Sequence, residues 1–418
     1  MEKRRVVITG MGVVAPNGIG IDNFWNSLVH GQSGIRRISR FDASTYPCQV
    51  AAEVPDFDPT DYMDPKSAKR LDRFAQLCFA SASMALNDAE IGIPYRDPYR
   101  IGVFVGTAIG GGETITTQHA IFLEKGLKRV APYASRAIST HSVGGAISES
   151  FLLKGPNTTV SSGCNSGLDA CYLAYSAIRL GDADVMVVGA GEAPITPFIL
   201  ATFSAVGVLS SRNGDPKASV RPYDMEANGM VLGEGGASIV IEELHHALER
   251  GAKIYGEILG YSSLSEATLW GGEMDVESIA KAFEITMRNS NLSLTDVDYI
   301  NAHGNGILSY DLGETEAIKK VFGERAYQIP ISSIKPVTGQ SLSPTGIYQV
   351  IASLLVLKHG VIPPTINHER PAPGCDLNYV PGHWIERNVD VALMNAHGFG
   401  GRHTILSLSK LDRHRGRV

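Results

Sequence analysis

The stretch that most constrains this chain is Thr158-Thr159-Val160-Ser161-Ser162-Gly163-Cys164-Asn165-Ser166-Gly167. Its β-branched residues read as a short strand, and a tight turn with glycine on both sides of a cysteine follows. A helix then carries Leu168, Ala170, Cys171 and Ala174 inward and ends near the Gly181-Asp182 turn. Strand, elbow and helix together present a side chain while keeping its neighbours small, as the glycine-flanked serine elbow does. A thiol at a helix N-terminus faces unpaired backbone N–H groups and the positive end of the dipole, which favour its thiolate. The alternative is a buried structural cysteine acting as a small hydrophobe. Position separates the two: Cys164 falls on the turn, whereas Cys171 has the setting of core.

Around this elbow the chain repeats one theme, a buried strand that ends in glycine and leads toward a helix. Val6–Val14, Ile101–Gly106 and Ala183–Gly191 are such strands, and Ala237–Ile241 is a further strand of this half. Helices are expected over 21–30, 67–89 and 244–250. After Gly251 the pattern starts over with a strand at 252–261, a helix over 276–289, a strand at 299–302 and a helix over 313–322. A strand at 330–334, a helix over 348–358 and closing strands at 392–394 and 404–408 follow. Two successive βα-rich halves argue for a layered α/β fold built from two similar units, 1–250 and 251–412, with a short basic tail at 413–418. The linker between them is short, so one compact unit is expected.

Two glycine motifs are set aside. Gly10-Met11-Gly12 lacks the rest of a dinucleotide fingerprint, since Ala15-Pro16-Asn17-Gly18 stands where the helix should open. Gly110-Gly111-Gly112 has no lysine or threonine at phosphate-binding spacing, and reads as a place where two backbones come close.

With 418 residues, 44% hydrophobic and 19% charged, the chain can bury a large core, and its formal net charge of −6 argues against a nucleic-acid surface. The five cysteines (48, 78, 164, 171 and 375) have no paired spacing, so neither a disulfide framework nor a zinc site is expected, and a reducing cytoplasm is. Met1-Glu2-Lys3-Arg4-Arg5 runs straight into a strand, and no apolar run is long enough to span a bilayer. No membrane association and no metal are expected.

The second half supplies more chemistry. Asn301-Ala302-His303-Gly304-Asn305-Gly306 sets a histidine just past a strand, on a glycine loop, as a pocket residue would be. Ser333-Ile334-Lys335-Pro336-Val337-Thr338-Gly339-Gln340 repeats the layout with a lysine, whose commoner fate is a solvated surface. Asn395-Ala396-His397-Gly398-Phe399-Gly400-Gly401 is a third strand-end loop, with N–H groups suited to an oxyanion hole. Loops carrying Cys164, His303, Lys335 and Phe399 together make a pocket for acyl transfer through a thioester.

These residues closely resemble the elongating β-ketoacyl-acyl-carrier-protein synthases of fatty-acid and type II polyketide pathways. The likeness runs from Val6–Gly12 to Gly398–Gly401, through Arg70-Leu71-Asp72-Arg73-Phe74, Gly181-Asp182-Ala183-Asp184-Val185, Arg221-Pro222-Tyr223-Asp224, Val231-Leu232-Gly233-Glu234-Gly235 and Asn301-Ala302-His303-Gly304. The resemblance implies a thiolase-like fold of five layers, αβαβα, and a homodimer or ketosynthase-type heterodimer. It implies an acyl carrier protein as partner, with substrates carried on its phosphopantetheine and no other cofactor. Cys164 then matches the acyl-accepting nucleophile and His303 one of two histidines that bind the malonyl extender. Lys335 matches the site-ordering lysine and Glu314 its acidic neighbour. Phe399, between Gly398 and Gly400, matches the gate whose N–H joins that of Cys164 in the oxyanion hole.

The chain also departs from that pattern. Gln340 stands where the family has its second histidine; glutamine donates a hydrogen bond but exchanges no proton. Asn305 and Ile307 replace threonines whose hydroxyls contact the pantetheine and malonyl groups. Ser343-Pro344-Thr345 replaces a small Gly-Ala-Ala run, the loop 266–273 is short, and His397 takes the place of an aromatic ring. Three activities follow: decarboxylative condensation, acyl transfer from Cys164 to an alcohol, amine or thiol without decarboxylation, or a chain-length-factor-like subunit. Retention of Cys164 counts against the last.

Overall fold

A computed structural model describes residues 4–267 and 274–411. The expected basic tail, 413–418, and most of the 266–273 loop lie outside the described residues.

Ten strands build the frame. In the first half they are β1 (Val6–Ala15), β2 (Ile101–Gly106), β3 (Asn157–Val160), β4 (Val185–Glu192) and β5 (Gly235–Glu243). In the second they are β6 (Gly256–Ser265), β7 (Tyr299–Asn301), β8 (Ile331–Ser332), β9 (Val391–Gly398) and β10 (Arg402–Ser409). The first five lie in the order β3-β2-β4-β5-β1 and the second five in the order β8-β7-β9-β10-β6. Both sets are parallel across their first three strands and antiparallel thereafter. The sequence showed the repeat only as a rhythm of elements; the structure shows it as one strand order used twice. The two sets join where Val6 pairs with Ile258 and Ile8 with Gly256.

Helices fill three layers, giving the five-layer αβαβα thiolase-like arrangement. On the outer face of the first sheet, α1 (Arg73–Asp88) packs on β1, β4 and β5. Between the sheets lie α2 (Ser166–Leu180) and α5 (Ser343–His359), which pack on each other and on strands of both sheets. On the far face, α3 (Val276–Asn289) packs on β6 and β10 and against α4 (Leu308–Phe322). With helices on both faces, β4 and β5 are buried along their whole length, as strands covered on both sides must be.

Several boundaries differ from those expected, each for a local reason. The helix expected over 67–89 is two: a short turn at Pro65–Ala68, then α1, with Asp72 accepting from the Phe74 N–H at the break. The helix expected from Tyr348 begins at Ser343 and is buried from there through Leu357. A helix enclosed on every side carries no amphipathic stripe to mark its start. The helix expected at Gly313 begins five residues earlier, at Leu308.

The central layer is packed through glycine. A Cβ on Gly167 would lie 2.4 Å from the Ser343 carbonyl oxygen, and one on Gly346 would lie 2.7 Å from Leu168 Cγ. The glycine triplet is likewise a close approach: a Cβ on Gly111 would lie 2.4 Å from the Ala137 carbonyl oxygen. Gly167→Ala is therefore expected to overpack the contact between α2 and α5, at about 1–3 kcal/mol. A thermal melt checks this; an unchanged Tm would show that the contact is slack.

Candidate active site

Four strand ends converge where the two central helices begin. The chain leaves β3 through Gly163, at φ +68°, into a single 3₁₀ turn, Gly163–Asn165, that runs on into α2. Gly106, at the end of β2, passes so close beneath that a Cβ there would lie 2.4 Å from the Ser166 carbonyl oxygen. This elbow holds Cys164 at the head of α2, buried to 7% exposure. The backbone N–H groups of Phe399 and of Cys164 itself both face the sulfur. Gly398 lets the end of β9 cross the elbow, since a Cβ there would stand 2.6 Å from Asn165 Oδ1.

The thiol differs from the sequence expectation in its resting state. Burial pushes its pKa up to about 11, and nearby Glu192 adds to the rise. Lys335 and the two N–H groups pull the other way without overcoming burial. The helix-terminus argument thus has the right sign but is outweighed by desolvation, and the thiol is the resting form. Glu192, itself raised to about 7 by burial, accepts from the Ala108 and Ile109 N–H groups at 2.7 and 3.0 Å and fixes the loop beside the elbow.

Across from the cysteine, the loop after β7 carries His303. Glu314, on α4, ties that loop down by accepting from the His303 N–H at 2.7 Å, the Gly304 N–H at 3.0 Å and the Tyr223 hydroxyl at 2.7 Å. Lys335 follows β8 and is 1% exposed, not the solvated charge that a lone lysine usually is. Its ammonium donates to the His303 carbonyl oxygen and stands 3.4 Å from His303 Nδ1. Burial lowers the Lys335 pKa to about 8, with Glu314 and Cys164 opposing. His303 is driven well below the usual histidine range by burial first, then by Lys335, His397 and His403, so its ring is neutral.

His397 belongs to a second set of contacts. Its Nδ1 lies 3.1 Å from His403 Nδ1, and His403 Nε2 lies 3.0 Å from Glu266. Its Nε2 lies 2.9 Å from the Asn395 amide, which also donates to Glu314. A carboxylate only accepts, so His403 donates from Nε2 and accepts at Nδ1. His397 then donates from Nδ1 and accepts at Nε2 from Asn395. Donation in this buried run starts from the Asn395 NH₂ and goes both ways, to Glu314 on one side and through His397 and His403 to Glu266 on the other.

Of the residues singled out in the sequence, Cys164, His303, Lys335, Glu314, His397, Phe399, Gly398, Asn305 and Ile307 come together. Ile307 and Phe399 share an apolar cluster with Cys164, Leu200, Met230 and Leu342. Gly400 is exposed in a turn at φ +88°. Gln340 is buried; its backbone N–H donates to the Val231 carbonyl at 2.8 Å, and its side-chain Oε1 accepts from the Thr345 hydroxyl at 3.0 Å. No hydrogen bond links it to His303. The sequence reading missed His403, Asn395, Glu192 and Tyr310. The Tyr310 ring stands edge-on to Phe399 at 5.8 Å and 6.3 Å from the His303 ring. Spacing gave a signal for Tyr310 alone, one turn before Glu314 on the helix after the histidine loop. Among the described residues, no group of three or more histidine, cysteine or acidic side chains is placed to hold a metal, and no helix is long and apolar enough to cross a membrane.

A buried thiol at a helix head, two N–H groups aimed at its sulfur and a neutral histidine with a buried lysine stand together in a thiolase-like frame, an arrangement suited to acyl transfer. Comparison with known proteins agrees. The family profile "Beta-ketoacyl synthase, N-terminal domain" matches residues 3–247 and "Beta-ketoacyl synthase, C-terminal domain" matches 255–369, so the chain belongs to the β-ketoacyl synthase family. A putative polyketide beta-ketoacyl synthase 1 of Streptomyces halstedii is 41% identical over 98% of this chain and 99% of its own. A 3-oxoacyl-[acyl-carrier-protein] synthase 2 of Coxiella burnetii is 39% identical over 98% of this chain and 100% of its own. A type II polyketide ketosynthase, solved with its acyl-carrier protein and bound to a hexaketide, superposes with a TM-score of 0.91 at 30% identity. That match covers 98% of this chain and 100% of the other. The protein is an enzyme, an acyltransferase of the 3-oxoacyl-acyl-carrier-protein synthase type.

The coupled thiol and lysine give a measurable signature. Alkylation of Cys164 by iodoacetamide is expected to quicken about tenfold per pH unit below pH 8, as the thiolate fraction rises. Above about 8 Lys335 loses its proton and its help to the thiolate, so the slope falls. In Lys335→Met the rate at pH 7 is lower and the break is gone; a variant profile matching the parent's would remove Lys335 from the thiol's environment.

Proposed function

We propose that Cys164 takes an acyl group from an acyl carrier protein as a thioester and condenses it with a malonyl-type thioester, in polyketide or fatty-acid synthesis. The observation that carries this reading is the pair of N–H groups, from Cys164 and Phe399, facing the sulfur. When the sulfur attacks a thioester carbonyl, the same pair stabilises the oxyanion that forms, a contribution of about 3–4 kcal/mol per donor in comparable sites. The thiol proton leaves with the carrier's thiol, and the acyl group stays on Cys164.

The second step uses His303. The extender loses carbon dioxide, its carbon–carbon electron pair becomes an enolate, and the enolate carbon attacks the acyl carbonyl. The carbon–sulfur bond breaks, and Cys164 takes up a proton to return to its resting thiol. Lys335 and Glu314 hold the His303 loop from either side, while burial first and then Lys335 keep the ring neutral, so it acts as a hydrogen-bond donor to the developing enolate oxygen. This chemistry calls on no metal or redox group; the phosphopantetheine arrives with the substrate.

The reading includes a second protein copy or a sister subunit. Among the described residues strand β3 is an edge, paired with β2 alone, and Phe198 and Val206 of the helix Pro197–Val206 are 65% and 59% exposed. A cytoplasmic setting fits five cysteines that are all unpaired. Gln340 favours a second reading, transfer of the Cys164 acyl group to a non-malonyl acceptor, because a carboxamide exchanges no proton.

Intact-protein mass spectrometry after mixing with an acyl-carrier protein is expected to show the acyl mass on the parent and not on Cys164→Ala; no adduct on the parent overturns the reading. Adding malonyl-carrier protein should then clear the adduct with release of carbon dioxide. His303→Ala should still load acyl groups but condense about 100- to 10,000-fold more slowly. Clearance without carbon dioxide selects the second reading.

A further inference from the structure

The hydrogen bonds around His303 do not balance, and the imbalance points to a ligand. His303 Nδ1 accepts from the backbone N–H of His397, at 3.2 Å. That N–H belongs to β9 and stays a donor whatever the side chains do. A neutral imidazole has one lone pair and one N–H, so the His303 proton sits on Nε2. Facing Nε2, 3.1 Å away, is the side-chain amide nitrogen of Asn305. The other end of that carboxamide is already used: Asn305 Oδ1 accepts from the Ile307 N–H at 2.9 Å. Two donors therefore point at each other in a place where His303 and Asn305 are each only 2% exposed. Turning the carboxamide over moves the problem without removing it, because its NH₂ would then face the Ile307 N–H. Either way the set holds one donor too many and lacks one acceptor.

We infer that His303 Nε2–H and Asn305 Nδ2–H form a two-donor seat for the carbonyl oxygen of the second thioester. This rests on the reading of His303 given above and names its partner. Asn305, not Gln340, fills the place of the second donor. The Gln340 carboxamide accepts at Oε1 from the Thr345 hydroxyl and, among the described residues, makes no hydrogen bond to His303, whereas Asn305 Nδ2 stands 3.1 Å from the ring. The seat lies beside the nucleophile, since Ile307, two residues on, packs in the cluster that holds Cys164 and Phe399.

An oxygen entering between the two nitrogens accepts from both and removes the donor–donor contact. As carbon dioxide departs, the electron pair left behind places negative charge on that oxygen, and both N–H groups already point to it. No proton has to move through the second donor, so a carboxamide serves where an imidazole is otherwise used.

Calorimetry with a stable amide analogue of malonyl-pantetheine tests the seat in the full-length parent and three variants. Asn305→Ala removes one donor and is expected to weaken binding roughly tenfold. Asn305→Asp keeps the shape and the bond to the Ile307 N–H, yet its carboxylate captures the His303 N–H and repels the ligand oxygen. It is expected to bind at least tenfold more weakly than Asn305→Ala. Gln340→Ala should stay within about threefold of the parent. A space-filling role for Asn305 predicts the reverse order, with aspartate close to the parent. That order, a larger loss in Gln340→Ala than in Asn305→Ala, or no binding by the parent overturns the proposal. Loading of Cys164, followed by mass in the same variants, is independent of the seat: its failure in the parent overturns the proposed function and leaves the binding order to decide the seat.

Discussion

The structure depends on how closely α2 and α5 approach between the two sheets. Each helix starts at the active site and each supplies a glycine to the contact, Gly167 against the Ser343 carbonyl and Gly346 against Leu168. That approach sets the distance between the sheets. It therefore sets how near the ends of β7, β8 and β9 come to the Cys164 elbow, which belongs to the other half. A chemistry divided between two halves is only as well placed as the layer that separates them.

Burial then decides the electrostatics. The helix terminus, Lys335 and two N–H groups all favour a thiolate, yet desolvation holds the thiol near 11. The same enclosure brings Lys335 down to about 8 and keeps His303 neutral. The resting thiol and imidazole are thus uncharged beside a lysine that keeps its proton up to about pH 8, and the oriented donors have their effect when charge appears on an oxygen during reaction. The pocket is built for an event, not for its resting occupants.

Much of this was legible in the sequence where geometry follows from spacing. The elbow at Cys164, the strand-end position of His303 and the twofold rhythm of strands follow from β-branched runs and glycine punctuation. What escaped depends on contacts between distant segments or on enclosure. The early start of α5 at Ser343 is hidden because the helix is buried all round. The break before α1 is legible afterwards in Asp72, a capping residue inside an otherwise helical stripe. Asn305 reads in sequence as a lost threonine, and only the structure brings its carboxamide nitrogen to 3.1 Å from His303 Nε2. Gln340 drew attention through a motif, but its carboxamide oxygen is taken up by the Thr345 hydroxyl.

The run from Glu266 through His403, His397 and Asn395 to Glu314 has a consequence for ancestry. The two tautomers are fixed by the Glu266 carboxylate at one end and the Asn395 NH₂ donor at the other, so each imidazole holds the tautomer complementary to its neighbour's. An apolar ring at 397 alone would strand His403, and a lone His397 would face whatever replaced its partner. The two histidines are therefore a single heritable character: lineages that branched from this one should carry both or neither, and their joint presence marks a subgroup that overall identity would not separate.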